Sequence, residues 1–164
     1  MGEKHLYVEY YIYKGYEAAK DEFLKAVSAF FSFYTNSQIS RFGMRYINNI
    51  NISETNPTDW TNYISGNLLS IFKLKEEGEE IARAFHIFAS RKNGFNLTFQ
   101  YGMHNADYPA AVKKKEFILD YDVYVQGAQG ESDIKQNIDT YHDFIVSKFE
   151  GSIKDGLRRK MDNE

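Results

Sequence analysis

Two short stretches carry the residues most capable of chemistry. RFGMRYINNI, residues 41–50, contains Arg41 and Arg45, and EFILDYDVY, residues 116–124, contains Asp120 and Asp122. Two carboxylates on one face of a strand could hold a divalent cation or share a proton, and guanidinium groups could bind an anion or pair with those carboxylates. The pattern specifies no third cation ligand, so we predict neither a metal site nor a catalytic pair.

Other catalytic patterns are weak. The four histidines are His5, His86, His104 and His142, and their spacing matches no HxxxH or HExxH motif. GAQGES at 127–132 has two glycines before a helix but lacks the lysine and the spacing of a phosphate loop. Zero cysteines exclude thiolate nucleophiles and thiolate metal ligands. We therefore expect no catalytic residue, no metal and no cofactor, and we leave open whether the chain is an enzyme.

The periodicity of apolar residues predicts the elements that hold these stretches. Alternation of apolar and polar side chains indicates strands, and a spacing of three and four residues indicates helices. The predicted strands are 5–13, 39–50, 80–91, 95–104 and 116–126, and the predicted helices are 16–35, 57–65 and a long one that starts with Ser132 as its N-cap. The order β-α-β-(α)-β-β-β-α predicts an α+β fold, with a mainly antiparallel sheet and two long helices packed on one face.

Two details of this scheme depend on glycines. Gly151 and Gly156 weaken the long last helix, so a bend is possible there. Gly94 lies between two predicted strands, and we expect a three-residue loop of residues 92–94. That loop would pair Phe85, Ile87 and Ala89 with Tyr101, Phe99 and Leu97, whereas a two-residue loop would turn the whole strand over.

With this register, the polar residues of four strands share one face of the sheet. Its predicted members are Arg41, Arg45, Asn49, His86, Asn96, Thr98, Gln100, His104, Asp120 and Asp122. Three interpretations stay open: an open face with cross-strand ion pairs, a partly buried network beneath another layer of protein, or a groove for a polar or anionic ligand. The candidate binding residues are Arg41, Arg45, Asn49, His86, Gln100, Asp120 and Asp122.

Composition limits the class of protein. A chain of 164 residues has the common size of one domain, so we expect residues 1–164 to form one. The net charge of −3 gives no global field that would attract nucleic acid or an anionic membrane. No segment has the apolar length of an export signal or a membrane span. These features, with the absence of cysteine, predict a soluble cytoplasmic protein.

The same motifs carry a family resemblance. The matching residues are Arg41, Gly43, Arg45, Tyr46 and Asn48 in the first stretch, Asp120 and Asp122 in the second, and the closing segment DTYHDFIVSKFEGSIKDGLRRKM. Together they resemble a sporadically distributed family of uncharacterised prokaryotic hypothetical proteins, over residues 16–161. The resemblance implies no activity. Because members of that family are longer at the N-terminus, it also implies that this chain is the C-terminal portion of their architecture, and that an N-terminal half would cover the polar face or the first strand.

Three functions remain as hypotheses. The first is a non-catalytic interaction module that binds a second copy or another protein, because the aromatic content is 16% and tyrosine is enriched at interfaces; Tyr7, Tyr11 and Tyr13 are the candidate contact residues. The second is a small-molecule-binding domain with a cavity between the sheet and the last helix, lined by Phe85, Phe99, Tyr101, Tyr121 and Tyr141. The third, least favoured, is a hydrolase that uses Arg45, His86, Asp120 and Asp122.

Overall fold

The computed structural model describes residues 6–162. In chain order the elements are helix α1 (Tyr16–Phe33), strand β1 (Ile39–Asn51), a 3₁₀ helix (Ser70–Leu74), strands β2 (Ala84–Lys92), β3 (Phe95–Met103) and β4 (Glu116–Gln129), and helices α2 (Glu131–Ser152) and α3 (Asp155–Met161). The four strands form one sheet in the order β1-β4-β3-β2, and every neighbouring pair is antiparallel. The fold class is therefore α+β with an antiparallel sheet, as the sequence predicts.

The core forms between α2 and one face of the sheet. Ile134, Ile138, Tyr141 and Ile145 are buried along α2 at helical spacing. Opposite them, Tyr121 of β4 stacks on Phe99 of β3 with ring centroids 4.4 Å apart. We call this side of the sheet the inner face and the opposite side the outer face.

Helix α1 packs beside α2 and covers the inner side of β1. Val27 is its buried residue, and the ring of Phe23 stacks on Phe42 of β1 at 6.1 Å. Ser28 donates a hydrogen bond to Glu131 at the start of α2, with 2.7 Å between the oxygens. The two long helices therefore lie on the same face of the sheet, the face that the apolar alternation of β1 and β4 selects.

Two predicted elements are wrong. Residues 6–13 form no strand, and His5 lies outside the described residues. Residues 57–65 form turns, not a helix, because their backbone bonds elsewhere: Ile64 pairs with Ile153, and Tyr63 accepts a hydrogen bond from the amide of Lys154. This segment therefore makes only two backbone turn hydrogen bonds of its own, both to the Trp60 carbonyl, and it anchors the end of the C-terminal helices.

The predicted loop between β2 and β3 is also wrong. Lys92 pairs with Phe95, so the turn has two residues, and both Asn93 (φ 51°) and Gly94 (φ 86°) adopt the left-handed conformation. Such a turn matches the twist of the flanking strands. The one-residue shift places His86, opposite Tyr101, on the inner face, and it places Ile87, opposite Gln100, on the outer face.

The last helix is longer in the prediction than in the structure. In the structure, Ile153 and Lys154 separate two helices, α2 and α3, where the sequence predicts one. The N-cap of α2 is Gly130, not Ser132. The Ser152 hydroxyl donates to the Lys148 carbonyl and accepts a hydrogen bond from the buried Tyr121 hydroxyl. A Cβ at Gly156 would lie 2.3 Å from the Asn62 carbonyl oxygen, so α3 approaches the 57–65 turns closely.

Candidate functional site

The outer face carries the arginines and aspartates that motivated the sequence prediction. The Nε and Nη2 atoms of Arg45 donate to the two carboxylate oxygens of Asp120, at 2.8 and 2.6 Å. Arg41 Nη2 donates to both carboxylate oxygens of Asp122, at 3.0 and 2.8 Å. Asp120 is only 5% exposed, whereas about half of each arginine side chain is exposed. Both pairs join β1 to β4 diagonally across the ladder.

Gly43 explains the interruption in RFGMRYINNI. It lies between the two arginines on the outer face, opposite Tyr124. A Cβ at Gly43 would be 3.0 Å from Arg41 Nη1 and 3.0 Å from the Cβ of Tyr124. The missing side chain lets the Arg41 guanidinium cross the strand and lie 4.4 Å from the centre of the Tyr124 ring.

The other predicted binding residues are divided between the two faces. Asn49 and Gln100 share the outer face with the arginines, although neither contributes a hydrogen bond to the ion pairs formed within residues 6–162. His86 is on the inner face, so the predicted set of seven is not brought together. Arg41, Arg45 and Asn49 are exposed, which matches the interpretation of an open face with cross-strand ion pairs. An anionic ligand would have to compete with the carboxylates that already hold both guanidinium groups.

The N-terminal tyrosines lie on an irregular segment. Tyr7 is exposed, and Tyr11 is 88% exposed with its hydroxyl donating to Glu9. Tyr13 turns back toward the sheet, where its hydroxyl lies 3.1 Å from the Tyr46 hydroxyl. Their role in an interface stays a prediction.

The residues proposed to line a ligand cavity mostly fill the core. Phe99, Tyr121 and Tyr141 are buried, and Tyr141 packs against Phe95 at 5.3 Å between ring centroids. Phe85 is instead on the outer face, as a consequence of the β2 register.

A polar cluster that the sequence analysis missed joins α1, α2 and β1. Lys20 Nζ donates to both oxygens of Asp139, at 2.7 and 2.9 Å, and the Tyr16 hydroxyl donates to the same carboxylate at 2.5 Å. Tyr16 also stacks on His142, whose Nδ1 is 3.3 Å from the Tyr46 hydroxyl. The available signal was the helical spacing: Tyr16 and Lys20 are four residues apart, and Asp139 and His142 are three apart.

The charges of this cluster determine its chemistry. The Lys20 ammonium, and then the Tyr16 hydroxyl, lower the pKa of Asp139. Burial is the main cause that raises the pKa of Tyr16 and of Tyr46. Both phenols therefore stay protonated near neutral pH. The Tyr16 hydroxyl donates to Asp139, and the Tyr46 hydroxyl lies within hydrogen-bond distance of Tyr13 and His142, so the cluster fastens helices to the sheet.

A buried lysine forms a second unpredicted cluster, beneath the 57–65 turns. Lys115 Nζ donates to Glu54 at 2.8 Å and lies 5.4 Å from the Trp60 ring centre and 5.1 Å from that of Tyr63. The Tyr63 hydroxyl donates to the same glutamate. Two aromatic rings and one carboxylate thus surround the ammonium group, which is the arrangement expected for a structural buried cation.

The free edge of β2 is the most distinctive feature that lacks a structural role. Within the described chain, β2 pairs only with β3, so one side of its backbone has no strand beside it. Ile87 is 70% exposed and Phe88 is 51% exposed, and they project from opposite faces of this strand. An edge strand with large exposed apolar residues is a template for pairing with another chain.

A groove of about 610 Å³ lies beside the first residues of β2. Its lining comes from the 3₁₀ helix, the segment before β2, the first residues of β2 and Tyr108, and it includes charged side chains. The lining consists of Ile71, Phe72, Leu74, Ile81, Ala82, Ala84, Phe85, His86 and Tyr108, with Lys75, Glu79, Glu80 and Arg83. The groove is open to solvent, and three of its lining residues, Ala84, Phe85 and His86, belong to the start of β2.

Two further features lie at the start of β2. His86 Nε2 is buried and has no hydrogen-bond partner among residues 6–162. Gly102 of β3 adopts φ +127°, and a Cβ there would lie 2.1 Å from the Ala84 carbonyl oxygen, so the start of β2 lies tightly against β3. The sheet therefore forms one wall of the groove, through Ala84, Phe85 and His86.

The sequence contained a signal for this edge. The run AFHIFAS is apolar on both strand faces, which is typical of a strand covered on both sides. Sequence analysis predicted this strand but not its place at the edge of the sheet, because strand order cannot be read from periodicity alone.

Some kinds of site receive no support. In the described part of the chain, no three His, Asp or Glu side chains are grouped so that they could hold a metal ion. Nor does any helix in residues 6–162 combine the length and apolar character that crossing a bilayer requires.

Comparison with known proteins found no matching family model, no matching curated protein and no matching solved structure.

Proposed function

We propose that this protein is a non-catalytic interaction module that binds an extended segment of a polypeptide chain along the free edge of β2. In this mode the backbone of the bound segment completes the hydrogen bonds of the edge, and its alternate side chains enter neighbouring pockets. The observation that carries the proposal is the coincidence of an unpaired strand edge, exposed Ile87 and Phe88, and an adjoining groove.

The contacts of the groove support this mode of binding. An extended segment that pairs with β2 would pass over the apolar surface of Phe72, Leu74 and Tyr108, which come from outside the sheet. Burial of such surface contributes about 25 cal/mol per Å², and the backbone hydrogen bonds contribute direction and register.

A displayed library of random peptides of about ten residues, close to the length of β2, tests the proposal. We expect selection on the wild-type protein to enrich peptides with alternating apolar residues. These peptides should lose at least about tenfold in affinity on Ile87→Lys, because a lysine places a charge at the edge where the apolar side chain would be covered.

Ile47→Lys is the matched control. Ile47 is 54% exposed, faces the same outer side and belongs to β1, the other edge strand. Selected peptides should bind this variant like the wild type. A library that yields no binder, or binders that do not distinguish the two variants, would contradict the proposal.

A further inference from the structure

We propose that the segment bound at this edge is β2 of a second copy of the same chain, so that two four-stranded sheets join into one continuous antiparallel sheet. The inference rests on the proposed function, because it names the occupant of the same edge. The arrangement has two-fold symmetry, in which each copy offers the same surface to the other.

The two ends of β2 differ in charge. Four glutamates in the loop 76–80, EEGEE, precede the strand, and Glu79 and Glu80 line the groove at its start. Arg83, which directly precedes the strand, is the exception, and its guanidinium donates to the carbonyl oxygens of His104 and Asn105. Arg91 and Lys92 end the strand. Because antiparallel pairing reverses the direction of the second copy, the basic end of each strand lies toward the acidic loop of the other.

The middle of β2 supplies an apolar centre for the same arrangement. Ile87, Phe88 and Ala89 are all exposed in the single chain, and they lie between the acidic and basic ends. Residues close to a two-fold axis contact their own counterparts or near neighbours, so this apolar segment would pack against itself. An apolar centre with a charged periphery is the usual composition of a protein interface.

The other sheet edge is less suited to self-pairing. Strand β1 exposes one large apolar residue, Ile47, and its other exposed residues are polar or charged: Ser40, Arg41, Arg45, Asn49 and Asn51. Its pairing with β4 has an irregularity between Ile39 and Arg41. Polar residues and bulges are features that protect edge strands from association. Self-association is therefore assigned to β2.

Sedimentation velocity of the full chain tests the inference with two charge-reversed variants. One carries Arg91→Glu and Lys92→Glu, and the other carries Glu79→Lys and Glu80→Lys. We expect the wild type to sediment as a dimer, at twice 19.1 kDa. Each variant alone should be a monomer, because like charges from the two copies would meet at both ends of the paired strands. An equimolar mixture of the two variants should restore the dimer, since opposite charges then meet at both ends.

Circular dichroism and thermal unfolding establish that each variant is folded, and Ile87→Lys is a third variant that should be monomeric if either charge reversal disrupts folding. The inference is overturned if the wild type is a monomer up to about 100 μM. It is also overturned if both charge variants dimerise like the wild type, or if their mixture shows no dimer. A monomeric wild type that still binds selected peptides at β2 would overturn the second copy as occupant while the proposed function stands.

Discussion

At the scale of single residues, the outer face shows how charge joins two strands without a covering layer. Arg45 and Asp120 form two parallel hydrogen bonds, and the carboxylate is nearly buried beneath the guanidinium. Arg41 and Asp122 form a similar pair in which the carboxylate is more exposed. The two pairs differ mainly in the burial of the carboxylate, so their contributions to the free energy of unfolding should differ.

We predict that Asp120→Asn lowers the free energy of unfolding by about 1.5 kcal/mol and that Asp122→Asn lowers it by about 0.5 kcal/mol. The first value is moderate because the released Arg45 is half-exposed and can be solvated. Urea unfolding with an unchanged slope measures both. Equal effects of the two substitutions would show that carboxylate burial does not determine the strength of these pairs.

Acid should weaken the contact between α1 and α2. The pKa of Asp139 is lowered in the folded state, first by Lys20, so its contribution to stability is present above its ordinary pKa of 3.8 and is lost as the pH falls through the lower folded value. Urea unfolding from neutral pH to about pH 3 should therefore show a loss of stability in acid that is smaller in Asp139→Asn. An identical acid dependence in the two proteins would exclude this carboxylate as a contributor.

At the scale of elements, close backbone contacts determine where strands and helices lie. Gly102 brings β3 against the Ala84 carbonyl, and Gly156 brings α3 against the Asn62 carbonyl. Neither contact leaves room for a Cβ. The start of the β2 edge and the position of α3 therefore depend on two glycines whose roles are not visible in the apolar pattern.

We predict that Gly102→Ala destabilises the protein by more than about 2 kcal/mol, because the added Cβ meets the β2 backbone and the residue has a positive φ. Gly78→Ala is the matched control: Gly78 also has a positive φ, of +85°, but nothing lies within 4 Å of its added Cβ. It should cost about 1 kcal/mol, from backbone strain alone. Thermal or urea unfolding of both variants measures the difference, and equal losses would contradict a close contact at Gly102.

The elements most readily predicted from the sequence are those with one buried face. Strands β1 and β4 alternate apolar and polar residues because α1 and α2 cover only their inner side, and α1 and α2 show helical spacing for the same reason. The β2 register could not be predicted in this way, because Ile87 on one face and Phe88 on the other are both exposed and neither selects a register. The division of the last helix depends on Tyr63 and Ser152, which are distant in sequence.

At the scale of the whole molecule, the sheet has one face covered by helices, one open face and two free edges in the described chain. The ion pairs of the open face could be predicted from the alternation of Arg41, Arg45, Asp120 and Asp122. The groove could not be, because it requires the 3₁₀ helix and β2 to come together across a segment with no regular pattern. The candidate site is thus a property of the assembled fold.

The most direct measurement of the central claim is amide hydrogen exchange of β2 as a function of protein concentration, followed by NMR. In an antiparallel ladder alternate residues direct their amides to opposite sides, so about half of the β2 amides point away from β3. We predict that these outward amides become protected as the concentration rises, while those bonded to β3 are protected throughout. Outward amides that stay unprotected at every concentration, alone or with selected peptide added, would contradict the assignment of this edge as the contact surface.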